Sequence, residues 1–239
     1  MPKGYELGDE GFSVFLRSRA RDKRVLMPLN TFAVIDFETT GLSPDHGARP
    51  TEIAIVLVRN HKIVDRYQSL MNPERPIPAD IQALTGITQA MVRSAPRISV
   101  VMQQATDFAG QYPLVAHNAA FDRKFWDAET REIHRPRVQP FVCSLLLSRR
   151  LFPDAPNHRL GTLVHTLHLP QTGQFHRALA DAEATAHLLI HIQSELQQRY
   201  GIETISEDLL CRIQAIGRNK MDAFIQAYRS DSARSPRSF

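Results

Sequence analysis

The chain has little cysteine and no long apolar segment, and both features narrow the class of protein. Its only two cysteines among 239 residues are Cys143 and Cys211, and neither has a partner at metal-ligand spacing, so we expect no disulfide scaffold and no zinc site. No apolar run reaches the roughly 18 residues of a membrane span. The N-terminal residues also lack the basic segment and apolar core of a secretory signal. We therefore expect a cytoplasmic protein that does not enter a membrane.

The composition fits one domain with short extensions, because 43% hydrophobic residues in 27.1 kDa can bury a full core. The formal charge of +4 suits a polyanionic partner, although charge alone does not identify one. Residues 17–24 hold five basic side chains and a single acid, Asp22. This stretch is either a solvated arm or a contact for phosphate groups.

Strands precede helices along the chain. Apolar runs at 32–35 and 52–58, followed by 62–70, predict three strands joined by short connections in an antiparallel meander. Strand and helix patterns then alternate, which indicates an α/β domain with a mixed sheet. Helical patterns occupy about 79–84, 100–108, 119–126, 144–151, 158–168 and 178–199, with short apolar strands near 113–117 and 141–143.

These patterns divide the chain into four segments. We expect a basic arm over 1–30, a main α/β domain over 31–200, a helical extension over 201–229 and a disordered tail over 230–239. Residues 204–228 are amphipathic at helical spacing, so they pack either on their own domain or on a partner protein. The first alternative is the more common one.

Two acids follow the first strand directly. Asp36 and Glu38 are two positions apart, so strand alternation points both side chains to one face at its carboxyl end. Paired carboxylates repel each other, and a bound divalent cation relieves that repulsion. The pattern favours a metal site, but a solvated strand end would look the same when considered alone.

Two further acids and one histidine lie near helix starts. Asp122 begins a helix, where it could simply complement the helix dipole. Asp181 lies among alanines, where a buried acid is costly unless something pairs with it. His176 precedes Asp181 by five positions, about 140° around a helix. It fits better on the approach to the helix, either as a proton acceptor or as an exposed loop residue.

Taken in order, three segments resemble the three motifs of the DEDDh (DnaQ-like) 3′-to-5′ exonucleases, the family of the proofreading epsilon subunit of bacterial DNA polymerase III. The segments are 36–42 (DFETTGL), 117–122 (HNAAFD) and 176–182 (HRALADA). The resemblance covers about residues 30–197. It implies a ribonuclease H-like fold, with a five-stranded mixed sheet flanked by helices and the acids gathered at one edge.

The resemblance also implies roles for individual residues. Asp36, Glu38, Asp122 and Asp181 should hold two divalent cations, Mg²⁺ or Mn²⁺, and His176 should act as the general base. A sister branch uses tyrosine at position 177, where this chain has Arg177. Residues that should contact the substrate are Thr39, Leu42, His117, Asn118 and Phe121.

The implied reaction is hydrolysis of terminal phosphodiesters, which releases nucleoside 5′-monophosphates from a nucleic-acid 3′ end. Phe37, Thr39 and Thr40 are closer to DNA-trimming members of the family than to oligoribonucleases, so we expect DNA rather than RNA. Proofreading, DNA replication or DNA repair would be its context, with a polymerase or other replication protein as a partner. The alternatives are a non-catalytic nucleic-acid binding module and a docking module on the same fold.

Overall fold

The computed structural model describes residues 31–171, 173 and 176–234. Strands β1 to β5 comprise Thr31–Thr39, Pro50–Arg59, Lys62–Leu70, Leu114–Ala116 and Phe141–Cys143. Helices α1 to α5 comprise Ala79–Thr85, Gln89–Arg93, Ile98–Ala109, Ala120–Glu132 and Ser144–Leu151. Helices α6 to α9 comprise Leu160–Thr166, Ala178–Gln198, Glu207–Ala215 and Met221–Arg234.

The five strands form one mixed sheet in the order β3-β2-β1-β4-β5. β1 pairs antiparallel with β2 and parallel with β4, and β5 runs parallel to β4 at the edge. The expected five-stranded mixed sheet flanked by helices is confirmed. Because β1 and β4 are parallel neighbours, their carboxyl ends lie at the same edge of the sheet.

Alternating residues of β1 and β2 form two separate cores on the two faces of the sheet. Phe32 and Val34 belong to the core that includes α7, whereas Ala33, Ile35 and Phe37 belong to the core that includes α3 and α4. The same alternation continues past the apolar run. It therefore predicts that the next even-numbered positions, Asp36 and Glu38, face the α7 side.

Helix α7 packs closely on the sheet because small residues line its inner face. Ala178, Ala182 and Ala186 recur every four positions and are fully buried in the core shared with β1 and β2. A helix with alanine at each contact approaches a sheet more closely than one with leucine, since less side chain separates the backbones. This packing brings the first turn of α7 to the carboxyl end of β1.

The C-terminal extension packs on the same domain. Leu209, Ile213 and Ile225 are buried in the core that includes α7. The side chain of Gln214 accepts a hydrogen bond from the Cys143 amide at 2.7 Å and donates to the Phe141 carbonyl at 3.2 Å, so it pairs with the edge strand β5. The amphipathic pattern of 204–228 therefore reflects packing on its own domain.

Most predicted elements agree within about two residues, but α4 ends six residues after the predicted 126, α2 was not predicted, and the C-terminus also differs. Helix α9 continues to Arg234, beyond the predicted start of the tail at 230, because Ser230 extends the helix and its hydroxyl donates to the Gln226 carbonyl. Residues 235–239 lie outside the described residues, as does the predicted basic arm over 1–30. Among the described helices, none is both long enough and apolar enough to cross a membrane.

Candidate active site

Three of the four predicted acids converge at one edge of the sheet. Asp36 and Glu38 reach it from the end of β1, and Asp181 reaches it from the first turn of α7. One carboxylate oxygen from each residue lies within 4.8 Å of the other two, a grouping that could hold a metal ion. We call these three residues the acid cluster.

The fourth acid, Asp122, lies beside the acid cluster on the opposite face of β1. It is buried in the first turn of α4, and its Oδ1 accepts a hydrogen bond from the amide of Phe37 at 3.2 Å. Phe37 lies between Asp36 and Glu38 in the strand, so this bond ties α4 to the strand segment that carries both cluster acids. Asp122 thus lies next to the cluster without joining its closest group.

Burial and mutual repulsion disfavour the ionised forms of these acids. Burial, together with the charges of Asp181 and Glu52, raises the pKa of Glu38 to about 8. Burial, with a contribution from Asp181 and against the hydrogen bonds that the side chain accepts, raises the pKa of Asp122 to about 7. The pKa of Asp36 is also raised, by burial first and then by Asp122. A bound cation would favour the ionised forms of these acids and so relieve their mutual repulsion.

These acids have no ion-pair partner among the described residues, although the charge of Arg177 lowers the pKa of Glu38 somewhat. In the part of the chain that the structure describes, none of the ion pairs includes Asp36, Glu38, Asp122 or Asp181. The donor set is entirely carboxylate oxygen, which is the ligand type that Mg²⁺ and Mn²⁺ prefer. The residues therefore fit a hard divalent cation.

A buried ion pair fixes the segment that enters α7. Glu52 lies opposite Glu38 in the register of β1 and β2. It accepts two hydrogen bonds from the Arg177 guanidinium, at 2.8 and 3.1 Å, and one from the Ala178 amide at 3.1 Å. Glu52 thereby neutralises the charge of Arg177 and also accepts a hydrogen bond from a backbone amide at the start of α7, where helix amides have no partner within the helix.

His176 directly precedes Arg177 in the chain and is exposed to solvent. Its backbone has a positive φ of 66°, and its amide donates to Oδ2 of Asp181 at 2.9 Å. The chain therefore turns sharply between the histidine and the helix, as the five-residue offset predicted. His176 therefore lies before the helix, exposed to solvent and bonded through its backbone to Asp181 of the acid cluster.

The predicted substrate residues of the second motif differ in their surroundings. His117 follows β4, and its ring contacts the Ser144 hydroxyl at 3.0 Å and the His158 carbonyl at 2.9 Å. Burial lowers the pKa of His117 to about 4, so the ring is neutral and donates to that carbonyl. Asn118 is exposed with a positive φ of 66°, and Phe121 packs on Phe125 with the ring centroids 5.1 Å apart.

The first motif places one large apolar side chain in solvent. Leu42 is 82% exposed although it follows a buried strand. In contrast, the Thr39 side chain is buried and donates to the Gly41 carbonyl at 2.6 Å, which fixes the turn before Leu42. Thr40 accepts a hydrogen bond from the Arg49 amide at 2.9 Å and closes the same loop. The two threonines thus shape the loop that presents Leu42.

A family model described as an exonuclease, RNase_T, matches residues 33–189 of the chain. The chain belongs to the RNase T exonuclease family. The resemblance to DEDDh, DnaQ-like exonucleases is thereby confirmed. The matched segment contains all three motifs and ends within α7.

Comparison with individual proteins agrees with this family. The chain is 38% identical to the PolC-type DNA polymerase III of Bacillus cereus over 73% of its own length and 12% of that protein. It is 36% identical to the corresponding protein of Bacillus subtilis over 81% of its length and 13% of that protein. The chain therefore spans only a small part of these relatives.

A solved structure of Exonuclease X in complex with 5′-overhanging duplex DNA is 32% identical, with a TM-score of 0.61. The match covers 77% of this chain and 99% of that one. The ribonuclease H-like exonuclease fold is therefore confirmed. All elements that carry the acids lie within it.

The sequence did not predict the pairing of Glu52 with Arg177 beside the acid cluster. Glu52 is the one charged residue at the head of the apolar run 52–58, and a charge entering a fully buried strand signals a partner. The identity of that partner could not be read, because Arg177 lies 125 positions away along the chain.

Proposed function

We propose that this exonuclease-family protein is a metal-dependent 3′-to-5′ exonuclease. The observation that carries the proposal is the convergence of Asp36, Glu38 and Asp181 within 4.8 Å of one another, with no cationic side chain of the described residues to pair with them. In this proposal the cations are two, Mg²⁺ or Mn²⁺. Asp36 would hold both ions, Glu38 and Asp181 would complete one site, and Asp122 would hold the other.

The bound cations supply Lewis-acid stabilisation of the phosphate and lower the pKa of a water molecule. The His176 imidazole accepts a proton from the attacking water, a task that suits a histidine near neutral pH. The water oxygen forms a bond to the terminal phosphorus, and the bond from phosphorus to the 3′ oxygen breaks. The products are a nucleoside 5′-monophosphate and a strand that regains a 3′ hydroxyl by taking a proton from solvent.

Several residues would orient the terminal nucleotide. Leu42 is exposed on a braced loop, and an apolar side chain held in solvent beside a charged site suits stacking on a base. Asn118 and Phe121 flank the acids on the α4 side and would line the same pocket. His117 would position this side, since both of its ring nitrogens are engaged by the protein, and Thr39 would act through the Leu42 loop.

DNA is the proposed substrate, and replication or repair is the proposed context. The likeness to PolC-type DNA polymerase III and to Exonuclease X in complex with DNA supports this choice. A replication protein remains the proposed partner. Its contact surface is not the apolar face of 204–228, which packs on its own domain.

The test is digestion of 5′-end-labelled substrates by the purified protein with Mg²⁺, with Mn²⁺ or with EDTA. The substrates are single-stranded DNA, duplex DNA with a 3′ mismatch, and RNA of the same sequence. We expect a ladder of shortened strands that retain the label, on DNA more than on RNA, and only with a metal. Immediate release of the labelled nucleotide would contradict the direction. Binding without shortening in any metal would favour the non-catalytic module.

A further inference from the structure

A basic cleft lies between α5, the end of α7 and the turn before α9, at the opposite end of α7 from Asp181. Its volume is about 350 Å³. It is lined by side chains that come from the exonuclease domain and from the C-terminal extension alike. We call it the arginine cleft, after the four arginines that line it: Arg149, Arg150, Arg199 and Arg218.

The charges of the arginine cleft are not neutralised by the protein. None of the ion pairs between described residues involves any of its four arginines. One acid, Asp222, also lines the cleft, where it interacts with the Tyr200 hydroxyl. Four guanidinium groups around one carboxylate repel one another, and an anion would relieve that repulsion.

The arginines of the cleft differ in the hydrogen bonds that they form with the protein. Arg150 is structural, because its guanidinium donates to the Leu146 carbonyl at 2.6 Å and to the Ile216 carbonyl at 2.6 and 3.1 Å. It thereby ties the C-terminal extension to α5. Arg199 and Arg218 are exposed and make no described hydrogen bond to a carboxylate or carbonyl, so their donors are available to a ligand.

The arginine cleft shares one lining residue with a second cleft that reaches the second motif. Arg149 also lines a second cleft, which contains Asn118 of the second motif and Arg123 of α4. His158 lines the arginine cleft and accepts the hydrogen bond of the His117 ring through its carbonyl. A strand whose 3′ end lies at the acid cluster can therefore continue past Asn118 and Arg149 toward Arg218.

We propose that the arginine cleft binds phosphate groups of the nucleic-acid strand that lie 5′ to the scissile end. The proposal rests on the proposed function, because it needs a strand whose 3′ end lies at the acid cluster. Guanidinium groups bind phosphate oxygens in bidentate geometry, and exposed arginines at intervals suit a repeating polyanion. Arg199 and Arg218 lie beyond residues 33–189, so this part of the cleft comes from outside the matched exonuclease region.

The experiment measures binding of fluorescent single-stranded DNA of 20 and of 4 nucleotides by anisotropy in EDTA, across a series of salt concentrations. The test protein is the full chain with Arg199→Gln and Arg218→Gln. The matched control carries Lys62→Gln and Arg131→Gln, which remove two exposed charges elsewhere. Lys62 begins β3 at the end away from Glu52, and Arg131 lies in the last turn of α4, away from Asp122. Circular dichroism verifies that each variant is folded.

We expect the test protein to bind the 20-nucleotide strand about 10-fold more weakly at low salt. The slope of log Kd against log salt should fall by about 1.4, because each lost phosphate contact on a single strand accounts for about 0.7. The 4-nucleotide strand should show a much smaller difference, which separates the strand backbone from a lone terminal phosphate. The control should bind both strands as the wild type does.

Wild-type affinity and slope in the test protein would overturn the proposal, as would an equal loss in the control. The readout is independent of turnover, so the two proposals fail separately. A wild type that shortens no strand with Mg²⁺ or Mn²⁺, yet shows arginine-dependent binding, would overturn the exonuclease activity and leave the phosphate site standing. An active wild type with arginine-independent binding would overturn the phosphate site alone.

Discussion

Two groups of acids lie close together in this domain, one buried and one mostly half-buried, and they differ in what surrounds them. Glu52 and Glu129 each accept hydrogen bonds from an arginine of the same chain, Arg177 and Arg49 respectively. Glu38, directly opposite Glu52 in the sheet register, forms no ion pair with a described residue. The other acids without such a pair at this edge are Asp36, Asp122 and Asp181.

This difference separates structural from functional acids better than burial does. An acid that stabilises the fold has its counter-charge encoded elsewhere in the sequence, as Arg177 serves Glu52. A group of acids without a counter-charge destabilises the fold unless a ligand supplies one. We therefore propose that the carboxyl end of β1 is the place where this chain depends on an external cation. The following variants test that distinction.

The largest effect is expected for Asp36→Ala, which removes the acid common to both proposed cations. Nuclease activity should fall by at least about 10⁴-fold, because several kcal/mol of transition-state stabilisation are lost. Initial rates on end-labelled DNA measure the loss. Asp181→Ala should behave similarly.

The matched control is Glu129→Gln, which alters an acid that already has an arginine partner and should keep nearly full activity. Circular dichroism checks the fold of both proteins. If the Asp36→Ala protein retained more than about one hundredth of the wild-type rate, the two-metal assignment would be wrong.

His176→Ala should lower kcat by about 10² to 10⁴, the usual contribution of one positioned proton acceptor. Affinity for metal and for DNA should change little, because His176 lies off the helix that carries Asp181 and contacts that acid only through its backbone amide. Single-turnover rates and metal titrations on the same protein separate the two effects. A normal kcat with weakened metal affinity would make His176 a ligand, and its role as general base would have to be withdrawn.

Local patterns predicted most of the fold, because adjacent residues determine them. The apolar run 32–35 predicted β1, and its alternation predicted that Asp36 and Glu38 share a face. The alanine-rich sequence of residues 178–199 predicted α7, which ends one residue earlier, at Gln198. The sites of the four acids likewise followed from strand ends and helix starts.

Contacts between distant residues could not be predicted in this way. The pairing of Glu52 with Arg177 and the hydrogen bonds of Gln214 to β5 depend on the packed structure, since no local pattern specifies partners so far apart. The amphipathic residues of 204–228 showed that a face is buried but not what covers it. The arginine cleft is another such feature, because its members come from three separate elements.

A smaller effect is expected for Glu52→Gln, which keeps the shape of the side chain but weakens the bonds to Arg177 and to the start of α7. Its activity should fall about 10-fold, less than the roughly 10²-fold loss that a 1 Å misplacement can cause. The Mg²⁺ concentration for half-maximal rate should rise, because Asp181 lies in the helix turn that Glu52 holds. Initial rates across a Mg²⁺ titration measure both.

Glu129→Gln is again the matched control, since both glutamates are buried and both arginine partners are 37% exposed. Each variant should lose about 1–3 kcal/mol of unfolding free energy in urea titrations. Only Glu52→Gln should also lose activity. Equal activity in the two variants would show that the Glu52 pair is structural alone.

The smallest effect is a dependence of thermal stability on pH in EDTA. The pKa of Glu38 in the folded protein is about 8, above its ordinary 4.5, so the folded state holds a proton that the unfolded state releases between those values. Asp122, with a pKa of about 7, acts in the same direction. The protonated acids therefore contribute stability below the ordinary pKa, and this contribution is lost as the pH rises toward 8.

The melting temperature should fall over this range by about 2–4 °C for each kcal/mol lost. Mg²⁺ should reduce the fall because it favours the ionised acids, and Glu38→Gln should remove part of it. A melting temperature with the same pH slope in the wild type and in Glu38→Gln would contradict the view that these acids lack a counter-charge.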